Sequence, residues 1–261
     1  MTETITMGDG THIAYRLDGP EDAPVLLLSN SLGTNMQMWA PQIAAWSVDF
    51  RVLRYDQRGH GASDGPVGAY SLDRLGRDVI ELLDALSIQT IDFCGLSLGG
   101  MTGQWLGIHA SERIRTLVLA NTAAYMGPPA NWDARINLVR TEGITPLVEA
   151  SISRWFTPWF QETHAAEIEP IAEMLQATNP DGYMGCCAAI RDMDLRKTAH
   201  LIPVRTYIIG GALDPATPPQ RSVELKESIV GSSLKMLEAA HLSNVERPTE
   251  FAAEVRDFVL T

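Results

Sequence analysis

Residues 92–101, DFCGLSLGGM, set one serine, Ser97, among glycines: Gly95, Gly99 and Gly100 close by and Gly103 just beyond. The stretch ends an apolar strand-like run and opens a helical one. A strand that turns at once into a helix holds the middle residue in a strained backbone conformation. Only small neighbours fit there, because strand and helix approach closely. The hydroxyl of Ser97 then stands at the C-terminal edge of a sheet. The free N–H groups of the helix N-terminus lie beside it and favour developing negative charge. Such a setting suits a nucleophile. Phosphate binding is the other use of glycines of this kind, but no Gly-Lys-Ser/Thr ending follows. A dinucleotide site would need bare backbone where Ser97 stands.

A serine alone is unreactive at neutral pH, so it needs a base, and the base needs an orienting acid. After a strand–turn–helix serine the expected chain order is Ser, then Asp or Glu, then His. Of six histidines, His12 lies in the first hairpin, His109 ends the helix of the serine, and His164 and His200 lie in or beside a helical stretch. His60, in DQRGHGAS, precedes Ser97 and reads as part of a tight turn near the pocket. His241, in EAAHLSNVERP, follows the last strand-like run and meets the requirement. For the acid, Asp214 in YIIGGALDPATPP follows a strand, while Asp56 in RYDQRGHG is its rival. The adjacent Arg58 suggests a local ion pair with Asp56, and chain order favours Asp214. A tetrahedral intermediate also needs two N–H donors. Leu98, next after the serine, would supply one. Leu32 would supply the other, in SNSLGT after an apolar strand, with Asn30, Ser31 and Gly33 forming the turn.

These residues need a scaffold, and the sequence patterns one. TITM and HIAYRL, split by Gly8-Asp9-Gly10, predict a hairpin. Continuous apolar runs at 24–31, 50–56, 90–95 and 114–121 predict strands buried on both faces. Helical spacing lies between them, most clearly over 71–88, where Leu72, Leu75, Val79, Leu82, Leu83 and Leu86 share a face. Ser71 there offers half a capping box. Such alternation predicts a mostly parallel sheet with helices on both faces. From Ala123 to about His200 the strand pattern stops and separate helices follow. It resumes at 204–211, with a last strand in SLKMLEA and a last helix in RPTEFAAEVRDFVL. The expected organisation is a core in two pieces, 1–122 and 201–261, with a helical lid inserted at 123–200.

Composition narrows the class. The chain has 261 residues, a net charge of -12 and no basic cluster, which disfavours nucleic acid and anionic membranes as partners. Cys94, Cys186 and Cys187 form neither a disulfide framework nor a metal pattern. No apolar leader or bilayer-length run is visible, so a soluble protein of a reducing cytoplasm is expected. The oligomeric state is left open. The mechanism sketched above needs no metal or cofactor.

Five segments, LLSNSLGT, VLRYDQRGHGAS, DFCGLSLGGM, GGALDPATPP and AAHLSNVERP, together resemble the α/β-hydrolase superfamily from the first hairpin to the last helix. Within it the chain is most similar to the 3-oxoadipate enol-lactonases of the β-ketoadipate pathway. NSLG replaces the His-Gly of most relatives, GGMTGQWL follows the serine, and the histidine sits in AAHLSNVERP. The resemblance implies an eight-stranded, doubly wound α/β sheet with a helical lid, and no cofactor. It implies that Ser97 attacks a lactone carbonyl, with His241 as base, Asp214 as orienter and Leu32 and Leu98 as oxyanion donors. The expelled ring oxygen would leave as an enol. A carboxylate on that substrate demands a cation and apolar walls over Ser97. Arg135 and Arg154, with Trp132, Trp155 and Trp159, are the candidates. For any one of these arginines a solvated helix face is the commoner role. The stretch SRWFTPWF could line a pocket or pack on the core. A carboxylesterase, a carbon–carbon bond hydrolase, a perhydrolase or a small-ligand receptor of this fold would keep the same three residues.

Overall fold

The computed structural model describes residues 2–261. Its elements run β1 (Glu3–Thr6), β2 (His12–Asp18), β3 (Val25–Ser29), α1 (Ala40–Trp46), β4 (Arg51–Tyr55), α2 (Leu72–Ala85), β5 (Ile91–Leu96), α3 (Leu98–His109) and β6 (Ile114–Ala120). Five helices follow: α4 (Pro129–Glu142), α5 (Val148–Trp155), α6 (Pro158–Thr163), α7 (Ala165–Gln176) and α8 (Pro180–Asp192). The chain closes with β7 (Arg205–Gly211), α9 (Pro219–Ser228), β8 (Ser233–Leu237), α10 (Ser243–Glu246) and α11 (Pro248–Leu260).

The eight strands form one sheet in the order β1-β2-β4-β3-β5-β6-β7-β8. β1 and β2 join antiparallel, and every pairing from β4 to β8 is parallel. Flanking helices cover the sheet: α1 packs on α11, and α2 on α3. Apolar sequence explains the central strands, because both faces of a parallel sheet are covered. Leu26, Leu27 and Leu28 of β3 and all six residues of β5 are buried. Of the face expected for α2, Leu72, Leu75, Val79, Leu82 and Leu83 are buried, while Leu86 is half-buried just past the helix end; Ser71 caps the helix by accepting from Arg74 N at 3.1 Å. Between β6 and β7 the inserted helices are tied at their base by a bridge from Tyr125 to Asp194.

One expectation fails in the loop after β4. Arg58 does not pair with Asp56. Its guanidinium reaches instead to Asp78 of α2, at 2.5 and 2.6 Å, and to Asp9 at 3.0 Å. Asp56 accepts from the backbone N–H groups of Met36 and Ala62. Asp56 is already engaged by those two backbone donors, and Arg58 finds its carboxylates across a packed interface, on α2 and in the β1–β2 turn.

The same loop buries His60, which braces the loop after β3. Its Nδ1 lies 3.2 Å from Arg58 O, and its Nε2 accepts from Gly33 N at 2.9 Å. A carbonyl only accepts, so Nδ1 carries the proton and the ring is neutral. Burial pushes the ring down to about 4 from 6.5. Below about pH 6.5 the unfolded chain therefore binds a proton here that the folded chain refuses until about pH 4. Stability from this group is full above that window. It falls by about 3 kcal/mol as the pH drops through it. We expect urea unfolding of His60→Asn to show a flatter loss of stability between pH 6.5 and 4 than wild type. Parallel curves would contradict this assignment.

Candidate active site

Ser97 sits between β5 and α3 at φ 59 and ψ -115, a region that residues with a side chain rarely occupy. Holding a backbone there costs on the order of 1–3 kcal/mol, so its surroundings must enforce it. They do so on both sides. Ser97 N donates to Ala120 O of β6 at 2.9 Å, and Thr122 Oγ1 donates to Ser97 O at 2.7 Å. From the other side, Gly99 N donates to Asn30 O at 2.9 Å. A Cβ on Gly95 would strike the Gly99 carbonyl, and one on Gly99 would strike that of Ser29. The glycines around the serine are therefore a packing requirement of the turn.

The loop after β3 faces Ser97 and is held by its own side chains. Asn30 Nδ2 donates to Tyr55 O at 2.8 Å, and its Oδ1 accepts from Trp39 Nε1 at 2.9 Å. Gly33 takes φ 79 and is fixed by His60. Among the described residues, neither Leu32 N nor Leu98 N donates to another protein group. Leu32 and Ser97 line the same cavity. Two backbone donors beside a nucleophile are what a tetrahedral oxyanion requires.

Asp214 lies in the β7–α9 loop and His241 in the β8–α10 loop. Both are buried, and His241 Nδ1 meets Asp214 Oδ2 at 2.8 Å. Asp214 also accepts from Ala216 N and Thr217 N at 2.7 and 2.9 Å, from Thr217 Oγ1 at 2.6 Å and from Asn121 Nδ2 at 3.0 Å. Burial raises its pKa, but the His241 ring and these donors outweigh that effect, and the carboxyl titrates below its ordinary value. An anionic carboxylate on Nδ1 keeps the proton there and leaves Nε2 free to accept one. No hydrogen bond joins Ser97 Oγ to His241 among the described residues, though both side chains line one cavity. Such contacts are often long without substrate and tighten in the complex.

The cavity has a volume of about 570 Å³. Ser31, Leu32, Ser97, Met101 and His241 form its floor, and the inserted helices form its roof. Arg135, Arg154, Trp132 and Trp155, all expected over the serine, line it. Arg135 donates to Tyr183 OH at 3.1 Å and lies 5.5 Å from the Trp132 ring centre. Arg154 donates to Ala150 O at 3.1 Å. Burial, and then the nearby Arg135, lower the pKa of Arg154. Neither guanidinium has a carboxylate partner among the described residues. Trp159 is elsewhere: it is 53% exposed and packs against Arg247 and His164. SRWFTPWF thus splits, with Trp155 on the cavity and Phe156 and Phe160 buried in packing.

Several site residues were missed by the sequence reading. Arg221 on α9 is a third cation at the cavity, paired with Glu224 at 2.9 Å. Its place in the first turn of the helix after the Asp214 loop was the available signal. Asn121 supports Asp214 from the end of β6 at φ 43, and a polar residue directly after a buried strand was its signal.

Known proteins share the fold and much of the sequence. Residues 24–248 match the family described as the alpha/beta hydrolase fold. The chain is 45% identical over 249 residues to 3-oxoadipate enol-lactonase 2 of Acinetobacter baylyi, covering 95% of this chain and 93% of that protein. To 3-oxoadipate enol-lactonase 1 of the same organism it is 37% identical, over 98% and 96% of the two chains. The crystal structure of the enol-lactonase from Burkholderia xenovorans LB400 superposes with a TM-score of 0.97 at 42% identity, over 99% and 100% of the chains. With its eight-stranded sheet, its glycine-packed serine turn and these relatives, the chain belongs to the α/β-hydrolase fold family.

Proposed function

We propose that this protein is a serine hydrolase that opens 3-oxoadipate enol-lactone to 3-oxoadipate. The observation that carries the reading is the pair Arg135 and Arg154. These are two guanidiniums without carboxylate partners, in a chain of net charge -12, lining the cavity that holds Ser97. Both are half-buried, and cavity-facing guanidiniums with no acidic partner among the described residues are free to bind an anion by charge-assisted hydrogen bonds. A lactone bearing a carboxylate supplies that anion. The named enol-lactonases among the relatives favour this substrate over other esters.

The residues assign the steps. Ser97 Oγ attacks the lactone carbonyl carbon and gives its proton to His241 Nε2. Leu32 N and Leu98 N hold the oxyanion, and Asp214 stabilises the imidazolium. Collapse breaks the ring C–O bond, and His241 returns the proton to the departing enolate oxygen. That enol tautomerises to a ketone, which removes the nucleophile for re-closure. Water then gives a proton to His241 and attacks the acyl-enzyme, and Ser97 leaves with the proton. One lactone and one water become one 3-oxoadipate.

On this reading residues 123–200 are the substrate-selecting unit, inserted between core pieces 1–122 and 201–261. The partner is a small anionic molecule. Three unpaired cysteines, all buried, support a reducing cytoplasm as its setting.

Ser97→Ala is expected to lower kcat for the enol-lactone by about 10⁴-fold or more, measured as loss of the lactone in single turnover. A variant with near wild-type turnover would remove Ser97 as nucleophile. Arg135→Ala and Arg154→Ala should each raise KM for the carboxylate-bearing lactone by about tenfold to a hundredfold, and far more than for a neutral ester. Equal effects on the two substrates would sink the anion site and leave a general esterase.

A further inference from the structure

Glu246, the last residue of α10, is a buried carboxylate outside the reaction steps above. No cation pairs with it among the described residues. Three donors converge on it instead. Ala240 N donates to Oε2 at 2.9 Å, Thr157 N donates to Oε2 at 3.4 Å, and Thr157 Oγ1 donates to Oε1. Ala240 precedes His241, and Thr157 follows the α5 turn that carries Arg154 and Trp155 to the cavity. On the other side of His241, Leu242 N donates to Trp155 O at 3.0 Å. Both neighbours of the histidine are thus fastened to residues 155–157.

We infer that Glu246 is a positioning residue that clamps the His241 loop to the substrate-binding end of α5. The chemistry explains why a carboxylate stands there. An ionised carboxylate only accepts, so it can serve three donors at once. An amide of the same shape would turn an NH₂ towards one of those donors and leave it unpaired in a buried site. Through the clamp, a substrate carboxylate seated on Arg154 and the base acting on Ser97 are held in one register. Small errors in such register are expensive in rate. This coupling to Arg154 rests on the lactonase reading above, whereas the hold on His241 does not.

The test uses Glu246→Gln, Thr157→Val and Thr157→Ser, with active sites counted by a serine-directed phosphonate. For neutral p-nitrophenyl acetate, Glu246→Gln and Thr157→Val are each expected to lower kcat per site by about tenfold or more with little change in KM. Thr157→Ser, which keeps the hydroxyl, should restore most of the rate. Thr157 also caps α6. That role alone would lower Tm and leave kcat per site intact, and such a result overturns the proposal. Should Glu246→Gln not fold, Thr157→Val keeps the carboxylate and carries the same readout. With the carboxylate-bearing lactone, the loss from Arg154→Ala is expected to shrink in the Glu246→Gln background. Purely additive losses would refute the coupling. A wild type that does not prefer the lactone over the neutral ester would overturn the lactonase reading, and the ester arm would still decide the clamp.

Discussion

The backbone of Ser97 is the constraint on which the rest of the site depends. Its positive φ is unfavourable for a residue with a Cβ. It persists because β6 holds the serine's own amide and the loop after β3 holds that of Gly99. The turn therefore cannot form until three parallel strands are in register. That same requirement brings two N–H groups with no protein acceptor among the described residues, Leu32 N and Leu98 N, near the Gly99 N–Asn30 O bond. One donor follows β3 and the other follows the serine, and Asn30 O is bonded to the residue after Leu98. Strain in the turn and the approach of these two N–H groups are thus two results of one piece of packing.

Charge is handled differently on the two sides of the cavity. Beneath it, Asp214 is buried but surrounded by donors, and Asn121 ties it to the same strand end that holds Ser97. Its negative charge is satisfied without solvent and can steady an imidazolium as one forms. Above it, burial and then the nearby Arg135 lower the pKa of Arg154, and neither arginine has an acidic partner among the described residues. Elsewhere most arginines in the chain meet a carboxylate, as Arg58 does deep beneath the serine's layer. At the roof, Arg135 and Arg154 face the cavity that holds Ser97 without such a partner among the described residues.

Roof and floor are not independent bodies. The His241 loop is bonded to Trp155 O directly through Leu242 N and to Thr157 through Glu246, and Tyr183 of α8 meets Arg135. The inserted helices place cations on the serine's cavity and also touch the His241 loop. Changes in the insertion can then alter rate as well as affinity, because a polar network transmits displacement that a loose apolar contact would absorb.

Ser97, Asp214 and His241 were picked out of the sequence because each follows a strand-like run; β5 and β7 are largely buried, whereas β8, before His241, is only partly so. The order of the strands in the sheet was not readable, since β3 lies between β4 and β5 only through crossovers that sequence period does not encode. Side-chain partners were legible only where chemistry demanded them, as for His241 and Asp214. Arg58 chose Asp78 over its near neighbour Asp56, Trp159 turned away from the cavity that Trp155 faces, and Arg221 and Glu246 gained their positions from distant segments. The physical reason is common to all of them. Local pattern determines which backbone a segment adopts and which face is apolar. Only the packed tertiary structure decides which polar group lies within 3 Å of another.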